Sequence, residues 1–130
     1  MYQKLTFIGN LGNDPVATAF TNGVSVSHFL VASTLIGDGK EITTWFKVIV
    51  TGRQAELCNQ YLRKRAKVFV EGVLRPDAKG NPAIYQKADG TWVSSYEVTA
   101  QRVIFLDRSR KVFDDDDYPL LTAREGEGER

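Results

Sequence analysis

Histidine, cysteine and methionine are almost missing from this chain, with one of each in 130 residues. A single cysteine, Cys58, has no partner for an internal disulfide, which fits a reducing, cytoplasmic setting. One histidine and one cysteine also argue against a zinc site built from those residues, and no metal or other cofactor is expected. The opening residues, MYQKLTFIGN, hold no apolar run of signal-peptide length. No segment approaches the ~20 apolar residues of a membrane-spanning helix. The recurring catalytic patterns are lacking as well: there is no G-x-S-x-G elbow, no P-loop and no H-E-x-x-H. Nucleophilic catalysis needs a base held beside the nucleophile, and the one histidine, His28, sits inside a strand pattern. Asp14 precedes Pro15 in a turn and Glu71 precedes Gly72 at a strand position, so both read as structural or surface carboxylates. No catalytic residue is assigned, and the chain is not read as an enzyme.

What is present is unevenly charged. The formal net charge is only +1. Residues 114–130 carry seven carboxylates (Asp114, Asp115, Asp116, Asp117, Glu125, Glu127 and Glu129) against Arg124 and Arg130, a net −5. The remaining 113 residues hold 15 basic and 9 acidic side chains, a net +6. A basic body with an acidic tail points to a body that meets a polyanion.

The hydrophobic pattern predicts strands. KLTFIG alternates Leu5 and Phe7 against Lys4 and Thr6, and GNLGNDP follows as a turn cluster. VSVSHFLVAS begins as strict alternation and becomes a continuous apolar run, Phe29 to Ala32, which fits a strand covered on both faces or a bulge. LIGDGKEI reads as a Gly-punctuated loop, and TTWFKVIVTG as the third strand. The period then changes. Ala55, Cys58 and Leu62 share one face of a short amphipathic helix, with Leu57 and Tyr61 beside them. AKVFVEGVLR is a fourth strand and YEVTAQRVIFL a fifth. Between them a long loop carries a β-hairpin from about Ile84 to Val93, turned at Asp89-Gly90. After Leu106 the pattern ends. The predicted organisation is one domain over residues 1–106 and a disordered acidic tail over 107–130. Five strands with one short helix between the third and fourth give an all-β OB-fold barrel.

The clearest functional signal is aromatic and basic interleaving. In TTWFKVIVTGR, Trp45, Lys47, Ile49 and Thr51 share one face, whereas Phe46, Val48 and Val50 share an apolar face that reads as core. An exposed indole flanked by Lys47 and Arg53 suits an unpaired base stacked beside its phosphate. The hairpin adds Tyr85, Lys87 and Trp92. Such stacking is worth ~1–3 kcal/mol per base whatever the base. The alternative for Trp45 is a core residue at the end of the barrel; Lys47, Arg53, Arg75 and Lys87 favour the nucleic-acid reading.

At this point the chain resembles a known family. FIGNLGNDP (7–15), TTWFKVIVTGRQAE (43–56), YLRK (61–64), VFVEGVLRP (68–76) and YEVTA (96–100) look like the bacterial homotetrameric single-stranded DNA-binding proteins. The likeness covers about residues 2–106, with the motifs in family order and spacing. It implies an OB-fold protomer, a homotetramer associated with the nucleoid, and sequence-independent wrapping of single-stranded DNA in replication, recombination and repair. Carried over by position, Trp45 matches the principal stacking tryptophan and Tyr85 a hairpin aromatic. Lys4, Lys47, Arg53, Lys64 and Arg75 match basic positions along the DNA path. Phe46 matches a position near the subunit interface. There are departures. Thr51 stands where an aromatic stacker is usual, and STLIGDGKEI is short and lacks a tryptophan. Thr18 replaces a residue that is often basic, and His28 replaces the usual asparagine. Trp92, on the same hairpin as Tyr85, is a candidate replacement platform.

The acidic run resembles the tip with which many members of that family dock on repair and replication partners. Asp114, Asp115, Asp116 and Asp117 lead into Tyr118, Pro119 and Leu120. Leu120 stands where the tip has an aromatic, ten further residues follow it, and the linker from the barrel is short. Competition of this tail with DNA for the basic body is a second reading on charge grounds. The rival class is an OB-fold protein-interaction module, a replication or primosome accessory subunit with incidental DNA binding.

Overall fold

The computed structural model describes residues 1–19 and 22–106, so residues 107–130, and with them the acidic segment, lie outside the described part. The strands are β1 (Leu5–Leu11), β2 (Val16–Ala19), β3 (Ser25–Gly37), β4 (Lys40–Thr51), β5 (Lys67–Leu74), β6 (Ala83–Gln86) and β7 (Trp92–Phe105). One helix, α1 (Arg53–Tyr61), joins β4 to β5. β1 pairs with both β3 and β5, β3 with β4, β4 with β7 in parallel, and β7 with β5. That circuit closes a five-stranded barrel, the predicted OB-fold with its helix in the predicted place. None of the described helices is long and apolar enough to cross a membrane.

Alternation sets what lies inside. Phe29 and Val31 of β3, Val48 and Val50 of β4, Val68 and Val70 of β5 and Val98 of β7 fill the barrel. Ala55, Leu57, Cys58 and Leu62 close it from the helix side, as the helical spacing predicted. Gln54 fastens α1 to β7: its Nε2 donates to the Gln101 carbonyl at 2.9 Å, and its Oε1 accepts from the Val103 N–H at 2.8 Å. These bonds fall where the β5–β7 register shifts, so Gln54 satisfies backbone groups that the ladder leaves open.

Four expectations change. The segment from Leu35 to Ile42 is not a loop. β3 and β4 continue as a hairpin down to the pair Gly37 and Lys40, around Asp38 and Gly39 with φ of 51° and 73°. Two successive positive φ values are the turn geometry that matches strand twist, and Asp-Gly supplies them cheaply. β2 went unseen because all four of its residues are exposed and leave no alternation to read. β1 runs on through the turn cluster to Leu11. The apolar run Phe29 to Ala32 is neither doubly covered nor bulged: Phe29 and Val31 point inward, whereas Leu30 is 39% exposed on the outer face.

Candidate nucleic-acid interface

The outer face of β3, β4, β6 and β7 forms an open groove of about 470 Å³. Register explains how it assembles. Lys47 lies beside Leu30 on β3 and beside Glu97 on β7. The hairpin then extends this face, because Ala83 pairs with Ser95 and Tyr85 with Val93. Lys47, half-buried, and Tyr85, exposed, therefore line one groove, together with Asn13, His28, Leu30 and Glu97.

Trp45 continues the same face, two residues before Lys47 and opposite Ala32. Its side chain is 50% exposed, so it is not a core tryptophan. Its six-membered ring lies against Gly12, where any β-carbon would collide with it. The loop beneath is held in place. Gly12 N–H bonds to the Leu30 carbonyl at 2.8 Å, and Asn13 Oδ1 accepts from the Leu30 N–H at 3.0 Å. Asp14 Oδ1 accepts from the Lys64 N–H at 2.8 Å, tying the other end of the loop to the segment after α1. Trp45 thus presents a ring that is supported on one side and open on the other.

The other predicted residues are more scattered. Trp92 pairs with Gln86, one residue out of step with the pair of Tyr85 and Val93, so its side chain leaves the opposite face of the hairpin from Tyr85. The two aromatics do not share a face. Arg75 lines a separate small hollow with Leu74, Pro76 and Tyr96. Lys87 sits in the hairpin turn, its N–H bonded to the Thr91 carbonyl at 2.8 Å. Two cations are already engaged: Lys4 Nζ lies 3.7 Å from Glu71, and Arg53 lies 3.1 Å from Glu56. Phe46 points to the apolar side, stacked on Phe7 at 4.1 Å with Tyr96 tilted at 6.0 Å. Tyr118, Pro119, Leu120 and Asp114 to Asp117 lie outside the described residues.

Sequence reasoning did not single out Gly12, Asn13, Leu30 or Glu97. Only the outward strand parity of Leu30 and Glu97 could have flagged two of them. The others reach the site through loop closure and pairing. Burial pushes the Cys58 thiol up to about 12, which makes it an inert core group. Among the described residues, no group of three or more His, Cys, Asp or Glu could hold a metal ion. The face can do one kind of chemistry well: it offers an exposed indole, a phenol and a lysine along an open track, which is how an unpaired strand is held.

Comparison with known proteins agrees. The single-strand binding protein family matches residues 2–106. The single-stranded DNA-binding protein of Xanthomonas campestris pv. campestris is 32% identical over 108 residues, covering 79% of this chain and 59% of that protein. That of Xanthomonas axonopodis pv. citri is also 32% identical over 108 residues, covering 79% of this chain and 57% of that protein. The chain spans less than three fifths of the length of these two relatives.

Proposed function

Because this chain belongs to the single-strand binding protein family, we propose that it binds and protects single-stranded DNA without regard to sequence, in replication, recombination and repair. The observation that carries this reading is the continuous outer face on which Trp45, Lys47 and Tyr85 stand together. Bases stack on the indole and the phenol, and the backbone passes Lys47. The open form of the groove suits a flexible strand. The Lys47 cation between two aromatics favours DNA over the rival protein-docking module. No catalytic role is proposed.

Wider features of the reading follow the family. The protein assembles as a homotetramer, with Phe46 near a subunit contact, which raises the local concentration of binding faces on one strand. Residues 1–106 form the DNA-binding domain, and residues 107–130 a tail whose Asp114 to Leu120 segment docks replication and repair partners. It works in the cytoplasm at the nucleoid.

Titration with oligo(dT), followed by tryptophan fluorescence, tests the mechanism. We expect quenching with submicromolar affinity and a salt slope of about 0.7 in magnitude per phosphate neutralised. A duplex of equal length should bind far more weakly, because its bases are stacked on one another. Equal quenching by duplex would refute the stacking mechanism.

A further inference from the structure

The groove that holds Lys47 and Tyr85 also holds the only histidine of the chain. His28 stands on the outer face of β3, half-buried. Across the sheet it faces Val16 on β2 and Ile49 on β4, neither of which ionises. β2 offers no ionisable side chain at all. The ionisable groups around the groove are Lys47 from β4, Tyr85 from β6 and Glu97 from β7. The loop between β1 and β2 contributes the neutral Asn13, and its neighbour Asp14 is turned to the Lys64 N–H. Among the described residues the imidazole has no hydrogen-bond or ion-pair partner, so it does not serve to tie the fold together.

An unengaged imidazole beside a lysine, on the track of a polyanion, has a direct use. When protonated it is a second cation for the phosphates, and when neutral it is a weak contact. We infer that His28 is a DNA-contacting residue of this groove, and that its proton adjusts how tightly the strand is held. This rests on the proposed single-strand binding. The sign follows from linkage. The protonated groove binds the strand more tightly, so binding takes up a proton and affinity falls with rising pH. One added charge is at stake, in a groove open to solvent. The gain is therefore modest, the size of one exposed charge contact.

The test uses the full chain and fluorescently labelled oligo(dT), read by anisotropy at pH 5.5, 6.5 and 8.0 and fixed ionic strength. Oligo(dT) has no group that titrates in this range, and carboxylates and lysines titrate outside it. Wild type should bind about fivefold more tightly at pH 5.5 than at pH 8.0. Its salt slope should steepen by about 0.7 at most. His28→Gln should lose this pH dependence, and His28→Lys should hold the tighter affinity at pH 8.0. Thermal melts at each pH confirm that both variants fold. A pH-independent wild type that still binds would overturn the role of His28 and leave single-strand binding standing. A pH response that survives in His28→Gln belongs to another group, such as the terminal amine, and also overturns it. No binding at any pH would overturn both readings.

Discussion

Gly12→Ala asks whether Trp45 works as a platform because of how it is held. Gly12 has no left-handed backbone, so alanine fits its conformation without strain. The difficulty lies with the indole. A β-carbon at position 12 would overlap Cζ3 of Trp45 and stand 3.0 Å from Cη2. Carbon atoms rest ~3.5–4.0 Å apart, so the ring must retreat by about an ångström. It can, because it is half-exposed and the barrel interior does not depend on it. The loss of stability should then stay below ~1 kcal/mol, and Tm should fall by less than ~8 °C. Binding should suffer more. A stacked base is worth ~1–3 kcal/mol, and a displaced ring gives up a large part of that, so affinity for oligo(dT) should drop about tenfold, or ~1.4 kcal/mol. Trp45→Ala should lose the full stacking term. The double variant should bind no worse than Trp45→Ala alone, because both changes remove the same contact. Fluorescence anisotropy with labelled oligo(dT), run beside thermal melts, reads all four proteins. If folded Gly12→Ala binds like wild type, or if the two losses multiply, the supported-platform reasoning is wrong.

Two further outcomes follow from the same geometry. Tyr85→Ala should weaken single-strand binding by ~1–3 kcal/mol, whereas Trp92→Ala, on the reverse face of the hairpin, should cost less than Tyr85→Ala and less than Trp45→Ala; equal losses in the same anisotropy assay would place the strand on both faces. Cys58 should resist thiol reagents in the native protein and react on denaturation. Its folded thiol titrates at about 12 against 9.0 for the free group, so unfolding releases a proton above pH 9. Stability should therefore fall as pH rises from 9 towards 12, by up to ~1.4 kcal/mol per unit. Urea melts should show this component missing from Cys58→Ala.

Burial decides which parts of this molecule can be read from its sequence. Val48 and Val50 are fully buried, and their neighbours Lys47 and Ile49 must then face outward. One buried face imposes period two, and the faces of β4 could be assigned before any pairing was known. Ala55, Cys58 and Leu62 show the same logic at helical period. Where neither face is buried, the signal vanishes. Leu35, Ile36 and Ile42 are all exposed, so the hairpin tip carries apolar residues on both sides and shows no contrast to read. The Asp-Gly turn was visible in both hairpins, but only the Asp89-Gly90 turn was read as one.

The site required a second kind of information. Trp45 and Lys47 are neighbours along one strand, so their common face was legible. Tyr85 joins them only through the β4–β7 and β6–β7 registers, and Gly12 only because β1 runs into the turn cluster as far as Leu11 and sets the next residue under the indole. Trp92 shows the cost of lacking a register. Closeness on one hairpin placed it with Tyr85, but a shift of one residue in pairing reverses the side from which a side chain emerges. For the proposed single-strand recognition this is consequential. Stacking is indifferent to which base is bound, so in the proposed complex the strand path follows the placement of aromatic faces. A tryptophan on the wrong side of a hairpin adds apolar surface without extending that path. The path proposed here is therefore set by the β4–β7 and β6–β7 registers as much as by the aromatic residues themselves, and a change that slips β6 against β7 by one residue would turn Tyr85 to the reverse face and bring Ile84 and Gln86 to the groove.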